Sequence, residues 1–445
     1  MIKTLLAVAI GAAFSMNAIA DSSVVKGPMA FDPIPASAYN EATSDVTILN
    51  SEPWVIPQGY RQVIVSDESA LDIYPGKSDW GDMNTVNETR KHAGRYMYRT
   101  HEVRPGADLN AFAGGAVSVI DLKTGDTKVI AQRKDWEALD GIVWTPWHTV
   151  LFAEEAITAQ LKDPEVPQAT SGLLYEMELD KHDPMTARKV SVRPLLGSLS
   201  HEGIEIDAEG NVYVIDEEKT GAIYKFVPET YGDLSAGQLY ALRVMNGAKT
   251  GSAEWVALDM NQVQISARVA AKAVNATPFC RPEDMERINE TLYVALTCED
   301  VANPANTSGA GAVLSVKLGD KPMVNYFVAH GVNVVKEDKV NKVTGFKSPD
   351  NLAKSADGKL WIVEDNDYSD IWVAEPDLDG DGYSDSVNLF ASLKDVPAEG
   401  TGIYFGKDSH TLYVNVQHSS TGNDKTMAIT NREIKRGHEH EHGDK

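Results

Sequence analysis

The chain has 445 residues, 65 of them Asp or Glu and 41 Lys or Arg, giving a formal charge of −24. That balance excludes nucleic acid as a partner, because a phosphate backbone is gripped by clustered cations, and it favours cations as ligands. No apolar run reaches the roughly 18–20 residues that span a bilayer, so no transmembrane segment is expected.

In chain order, Met1-Ile2-Lys3, an apolar run over 5–14 and Ala18-Ile19-Ala20 predict a secretory signal over residues 1–20. The mature chain then starts at Asp21 and is exported, to a periplasmic or extracellular location. No Arg-Arg pair precedes the run, which points to the general secretion route. Residues 21–54 read as an N-terminal extension, 55–432 as a single domain and 433–445 as a tail. The two cysteines, Cys280 and Cys298, are separated by about one hairpin of sequence. In an oxidising compartment they can form one disulfide; a reactive thiol or a metal ligand is the rival reading.

The domain is organised by a repeat. Asp140-Gly141-Ile142 leads through a turn to Val150-Leu151-Phe152-Ala153-Glu154-Glu155, and Glu202-Gly203-Ile204 leads likewise to Val212-Tyr213-Val214-Ile215-Asp216-Glu217. Asp350-Asn351-Leu352 through Leu360-Trp361-Ile362-Val363-Glu364-Asp365 is a third copy. Looser copies run from Glu283-Asp284-Met285 to Glu299-Asp300 and from Gly402-Ile403-Tyr404 to Gln417-His418. The turns carry the Gly, Asn and Asp chemistry of tight hairpins. Between the copies lie alternating hairpins such as 115–130. An inner apolar hairpin followed by an outer amphipathic one makes a four-stranded blade. The expected fold is therefore all-β, a six-bladed β-propeller closed by strands from both ends, with 87–100, 156–170 and 229–275 as insertions over its faces.

A hairpin brings its first and last residues to one end. If these hairpins line the central channel, Asp140, Glu154, Glu155, Glu202, Asp216, Glu217, Glu283, Glu299, Asp350, Asn351, Glu364 and Asp365 crowd one mouth. Such crowding needs a counter-charge, since like charges raise one another's pKa. Calcium, with six to eight oxygen ligands, suits it in an exported compartment, and magnesium, manganese or iron also accept oxygen ligands. The expected metal ligands of this ring are Glu154, Glu155, Glu202, Glu283, Asp350, Asn351 and Asp365. Arg281 and Lys347, each within three residues of an expected ligand, either pair with the neighbouring acids or are the catalytic candidates that grip a substrate's oxygens.

Asp377, Asp379, Asp381 and Asp385, with Gly382 between, match the first nine positions of an EF-hand-like loop and predict a structural calcium site. Asn388 replaces the usual bidentate Glu at position 12. The tail Gly437-His438-Glu439-His440-Glu441-His442-Gly443 reads either as a solubilising disordered end or as a loose binder of zinc, copper or nickel.

The stretches Asp135-Trp136-Glu137-Ala138-Leu139-Asp140-Gly141, Thr145-Pro146-Trp147-His148-Thr149, His201-Glu202-Gly203, Arg281-Pro282-Glu283-Asp284, Pro349-Asp350-Asn351, Glu399-Gly400-Thr401-Gly402 and Gln417-His418 are, together and in this order, similar to the PhoX family of secreted alkaline phosphatases. The resemblance covers about residues 55–420. It implies a six-bladed propeller that hydrolyses phosphate monoesters with Ca2+ and Fe3+ held by carboxylates at one mouth. Glu155, Glu202 and Glu283, then Asp350 and Asn351, carry over as ligands. Ala153 stands where the family motif has an iron-liganding cysteine, which weakens the case for iron. A small phosphate-ester substrate and a monomer are expected. Two other readings fit the same residues: a calcium-dependent lactonase or esterase propeller, and a non-catalytic calcium-stabilised binding propeller.

Overall fold

The computed structural model describes residues 25–432 apart from 36, 39–40, 72, 74–78, 105–113, 304 and 335–344. The expected signal over 1–20 and the His/Glu-rich tail over 433–445 lie outside the described residues. Among those residues no helix is long and apolar enough to cross a membrane.

The protein is a β-propeller. Its strands fall into six four-stranded antiparallel units, each running from an inner strand outward. The first unit comprises Gly81–Val86, Tyr96–His101, Ala116–Asp121 and Thr127–Gln132, and the second Leu139–Trp144, Val150–Glu154, Leu174–Leu179 and Ala187–Val192. The third runs Ile204–Ile206, Val212–Ile215, Ile223–Thr230 and Asp233–Val244, and the fourth Pro282–Ile288, Thr291–Leu296, Ala312–Lys317 and Met323–Ala329. The fifth holds Pro349–Lys354, Leu360–Glu364, Ile371–Ala374 and Val387–Leu393, extended by Trp54–Val55. The sixth is built from Glu399–Phe405, Thr411–Gln417 and Lys425–Thr430, and its outer strand, Arg61–Asp67, comes from the other end of the chain.

The six inner strands neighbour one another in a closed ring, the last lying against the first. Apolar clusters sit between successive units rather than at one centre. Trp136, Phe152 and Tyr175 join the first to the second, Leu151 and Leu174 meet Val212 and Tyr224 between the second and third, and Trp361 and Phe390 meet Leu412 and Met427 between the fifth and sixth. Val65, Val86, Met97, Tyr404 and Tyr413 close the ring between the sixth and the first. The second strands of the units, packed on both faces, read as near-continuous buried runs. Within the N-terminal extension, Val25 and Phe31 join the cluster between the fifth and sixth units.

Two expected insertions are blade strands instead. In the run 87–100, Tyr96–His101 is the second strand of the first unit, so only the residues before it form a turn. In the run 229–275, Asp233–Val244 is the outer strand of the third unit. Gly251–Ala257 bridges that strand to Met323–Ala329, joining two units into one sheet, and a helix kinked at Ser266 follows over Met260–Ala273. The segment 156–170 is an irregular connection within the second unit, as expected. Cys280 and Cys298 are joined in a disulfide.

Candidate metal centre and active site

Every inner strand but the third carries a bulge at the same place. Opposite its partner the ladder steps three residues for two from Gly81 to Asn84, Leu139 to Ile142, Pro282 to Met285, Pro349 to Leu352 and Thr401 to Tyr404. The residues inside these bulges are Asp82-Met83, Asp140-Gly141, Glu283-Asp284, Asp350-Asn351 and Gly402-Ile403. In the third unit, pairing begins only after Glu202-Gly203. A bulge re-aims a side chain that regular pleating would point into a blade, and here it aims an acid at the channel mouth in four units. Two residues before four of these acids stand Trp80, Ala138, Arg281 and Ser348, all non-glycines at φ of 46–52°. Such backbone costs about 1–3 kcal/mol each and is retained where the surroundings over-determine it. The glycine after two of the acids is a spacing requirement: a Cβ on Gly141 would lie 1.6 Å from Glu202 O, and one on Gly203 2.5 Å from the Met285 nitrogen.

The acids border a cavity of about 310 Å3, lined by Asp82, Glu102, Asp140, Glu155, Glu202, Glu283, Asp350, Asp365 and Glu399 together with Arg104, Arg281, Trp80, Thr401, Gln417 and His418. Two trios bring carboxylate oxygens within 4.8 Å of one another: Asp82, Glu102 and Asp140, and Glu202, Glu283 and Asp350. Burial first, then Glu155, pushes Asp82 up to about 8. Burial and Glu102 bring Glu155 to about 8. Asp140, Glu202 and Asp350 are held well above the usual carboxylate range by burial and then by neighbouring carboxylates. Two guanidinium groups offset part of this charge. Arg104 lies 3.1 Å from Glu102 and 2.5 Å from Glu155, and Arg281 lies 2.7 Å from Glu217 and 2.8 Å from Glu283.

A second layer fixes the ring. Asn351 donates from Nδ2 to Glu202 Oε1 at 3.2 Å, while its Oδ1 accepts from the Gly402 N–H at 2.6 Å. Gln417 donates to Asp82 at 3.2 Å, and the Thr297 hydroxyl donates to Glu283. Asp140 Oδ1 is buried with no hydrogen-bond partner among the described residues. An unsatisfied buried carboxylate oxygen amid other carboxylates is what an oxygen-liganded cation would satisfy.

Of the expected site residues, Glu155, Glu202, Glu283, Asp350, Asp365 and Arg281 meet at this mouth, and Asn351 braces it from behind. Glu154 does not join them. Strand alternation turns it into its own blade, where it accepts from the Glu137 and Leu173 N–H groups and the Tyr175 hydroxyl. Asp216, Glu299 and Glu364 are turned away in the same manner, accepting from the N–H of Ser200, Cys280 and Lys347 respectively. Lys347 is exposed and does not line the cavity, because its backbone, not its side chain, is directed to the blade by the Glu364 bond.

The histidines near the motifs are mostly structural. His101 and His201 are buried and bonded to the Asp79 and Gly197 carbonyls, His148 meets Thr89, and only His418 reaches the mouth, 3.2 Å from Glu399. Ala153 is fully buried in the apolar cluster between the second and third units and does not line the cavity.

Asp82, Glu102 and Arg104 escaped the sequence reading. The signal was present in Trp80-Gly81-Asp82 and His101-Glu102, which repeat the acid-bearing ends of the other hairpins at a wider spacing. Away from the mouth, Asp377, Asp379 and Asp385 place oxygens within 4.8 Å of one another in a mostly exposed loop between two strands of the fifth unit. Asp381 is outside that trio and accepts from the Tyr383 N–H.

The whole chain is similar in fold to Pseudomonas fluorescens PhoX in complex with vanadate, a transition-state analogue, at TM-score 0.65 and 18% identity over 93% of this chain and 100% of that one. A gluconolactonase from Xanthomonas campestris aligns at TM-score 0.45 and 12% identity, covering 90% and 96%, and a virginiamycin B lyase from Staphylococcus aureus at 0.43 and 11%, covering 83% and 98%. Comparison with curated proteins by sequence found no match. The family model of alkaline phosphatase PhoX matches residues 143–420, well over half of the sequence. The chain thus belongs to the alkaline phosphatase PhoX family.

Proposed function

We propose that the protein is an exported, calcium-dependent phosphomonoesterase whose reaction takes place at the acidic mouth. The observation that carries this reading is the pair of carboxylate trios facing one cavity, beside a buried Asp140 oxygen without a partner. Calcium held by Asp82, Glu102 and Asp140, and by Glu202, Glu283 and Asp350, would supply positive charge against the phosphoryl and leaving oxygens. All donors are carboxylate oxygens, hard ligands that suit calcium.

The chain's own groups then bind and orient the ester. Arg281 stands at the rim, anchored by Glu217 and Glu283, and presents a planar set of N–H donors that matches non-bridging phosphate oxygens. Arg104 does the same from the opposite trio. Glu399, at the rim 3.2 Å from His418, is placed to exchange a proton with the leaving oxygen. Asn351 keeps Glu202 in one orientation. The disulfide accords with an oxidising compartment, and the loop of Asp377, Asp379, Asp381 and Asp385 is read as a separate structural calcium site. A monomer is the expected working unit.

The test is elemental analysis of the purified protein together with p-nitrophenyl phosphate turnover. Calcium bound in stoichiometric amount, with turnover abolished by chelation and restored by calcium, is the expected result. Folded, calcium-loaded protein that releases no phosphate from any monoester would end this reading.

A further inference from the structure

A second cavity lies away from the mouth. It is an open cleft of about 730 Å3 on the third unit, between the helix Met260–Ala273 and the outer strands Asp233–Val244 and Gly251–Ala257. Its character is opposite to that of the whole chain. A protein of charge −24 lines this cleft with Arg243, Lys249, Arg268 and Lys272 against a single carboxylate, Glu254. Much of the remaining wall is apolar, with Val244 and Ala271 among it.

Two of the cations are fixed in place from behind. Arg268 is bidentate to the fully buried Asp216, both contacts at 2.6 Å, and Lys249 lies 3.2 Å from the buried Glu299 and donates to the Pro278 carbonyl at 2.6 Å. Arg243 is paired with Glu254. The Lys272 side chain is exposed and has no ion pair or hydrogen bond among the described residues. Tyr224 lies beneath this wall with its hydroxyl fully buried, out of reach from the cleft. The cleft's size falls in the range of small-molecule sites, in which apolar walls surround a few fixed polar groups.

From this combination we propose that the cleft is a second binding site, separate from the acidic mouth, for a small organic anion with an apolar body. The apolar part packs on the Val244 and Ala271 side of the wall. The anionic group lies among the cations, beside the exposed Lys272. The cleft and the acidic mouth share no lining residue.

The test uses the full, calcium-loaded protein and the fluorescent anion 8-anilino-1-naphthalenesulfonate, with its uncharged relative N-phenyl-1-naphthylamine as a control. One saturable site is expected for the anion, with binding of the uncharged dye weaker by about tenfold or more. Lys272→Glu, which reverses a charge on an exposed side chain, and Ala248→Trp, which fills the cleft from an exposed position, should each weaken the anion by about tenfold or more while keeping the parent melting temperature. Equal binding of the charged and uncharged dyes would overturn the assignment to an anion. Unchanged affinity in both variants would overturn the cleft itself.

Discussion

Removing the metal while varying pH tests the ring directly. Asp82 moves from 3.8 in the unfolded chain to about 8 in the fold, and Glu155 from 4.5 to about 8. With both pKa values raised by folding, the native state binds more protons than the unfolded state between roughly pH 4 and 8. Stability of the metal-free protein is then greatest at the acid side of that window and falls as pH rises through the folded values. At 1.36 kcal/mol per unit, ionising one of these groups costs on the order of 5 kcal/mol, a large part of a typical total stability of about 5–15 kcal/mol. With an unfolding entropy of about 2.1 cal/mol/K per residue, a chain of this length should lose about 6 °C of melting temperature per group. Saturating calcium replaces the protons, so the same scan in calcium should be flat or should rise with pH. The assay is thermal unfolding followed by circular dichroism from pH 5 to 9, in chelator and in calcium. A melting temperature that is level or climbs with pH in chelator would refute the reasoning, because the ring would then carry its charge without a cation.

Three further outcomes follow from the same geometry. Arg281→Ala should lower kcat/KM for p-nitrophenyl phosphate by about 100-fold, whereas Lys347→Ala should leave it within about twofold; steady-state kinetics of the two variants separates rim from bystander. Asn351→Leu removes the donor to Glu202 and the acceptor for Gly402, and calorimetric titration should show calcium affinity reduced by about 10–100-fold. Replacing Cys280 and Cys298 together by Ser should cost about 3 kcal/mol in urea unfolding, the loop-closure value for a bridge of this span.

Much of this arrangement was legible because a propeller repeats its signals. The apolar second strands, the acid-bearing hairpin ends and the turn residues recur in order, so that each copy marks the same positions as the others. The first unit was missed because its turn is longer, so Asp82 and Glu102 lie further apart than the fourteen residues separating Asp140 from Glu154 or Asp350 from Glu364. Arg104 had no counterpart at its position in the other copies. The bulges were not legible at all, since an extra residue in a strand leaves no mark on an apolar run. Without them Asp140 and Glu154 look equivalent, and the inward turn of Glu154 cannot be read from spacing.

The doublets show how one repeat can both build a site and hold it. At Glu154-Glu155, Asp216-Glu217 and Glu364-Asp365 the strand alternation sends the two acids to opposite sides. The second of each pair belongs to the mouth: Glu155 and Asp365 line the cavity, and Glu217 anchors Arg281. The first stays in the blade and accepts a backbone N–H from the segment that leads into that unit's own inner strand: Glu137, Ser200 and Lys347. Those donors lie only two or three residues before Asp140, Glu202 and Asp350. In the fourth unit Glu299 keeps the latch through Cys280, three residues before Glu283, while Asp300 turns outward to cap its own loop. Asp140, Glu283 and Asp350 are therefore positioned by a buried carboxylate of the same hairpin as well as by a bulge, and Glu202 by such a carboxylate alone, so these acids are set in place by the fold itself. Such pre-positioning lets a crowded ring of like charges select a cation without first rearranging its backbone.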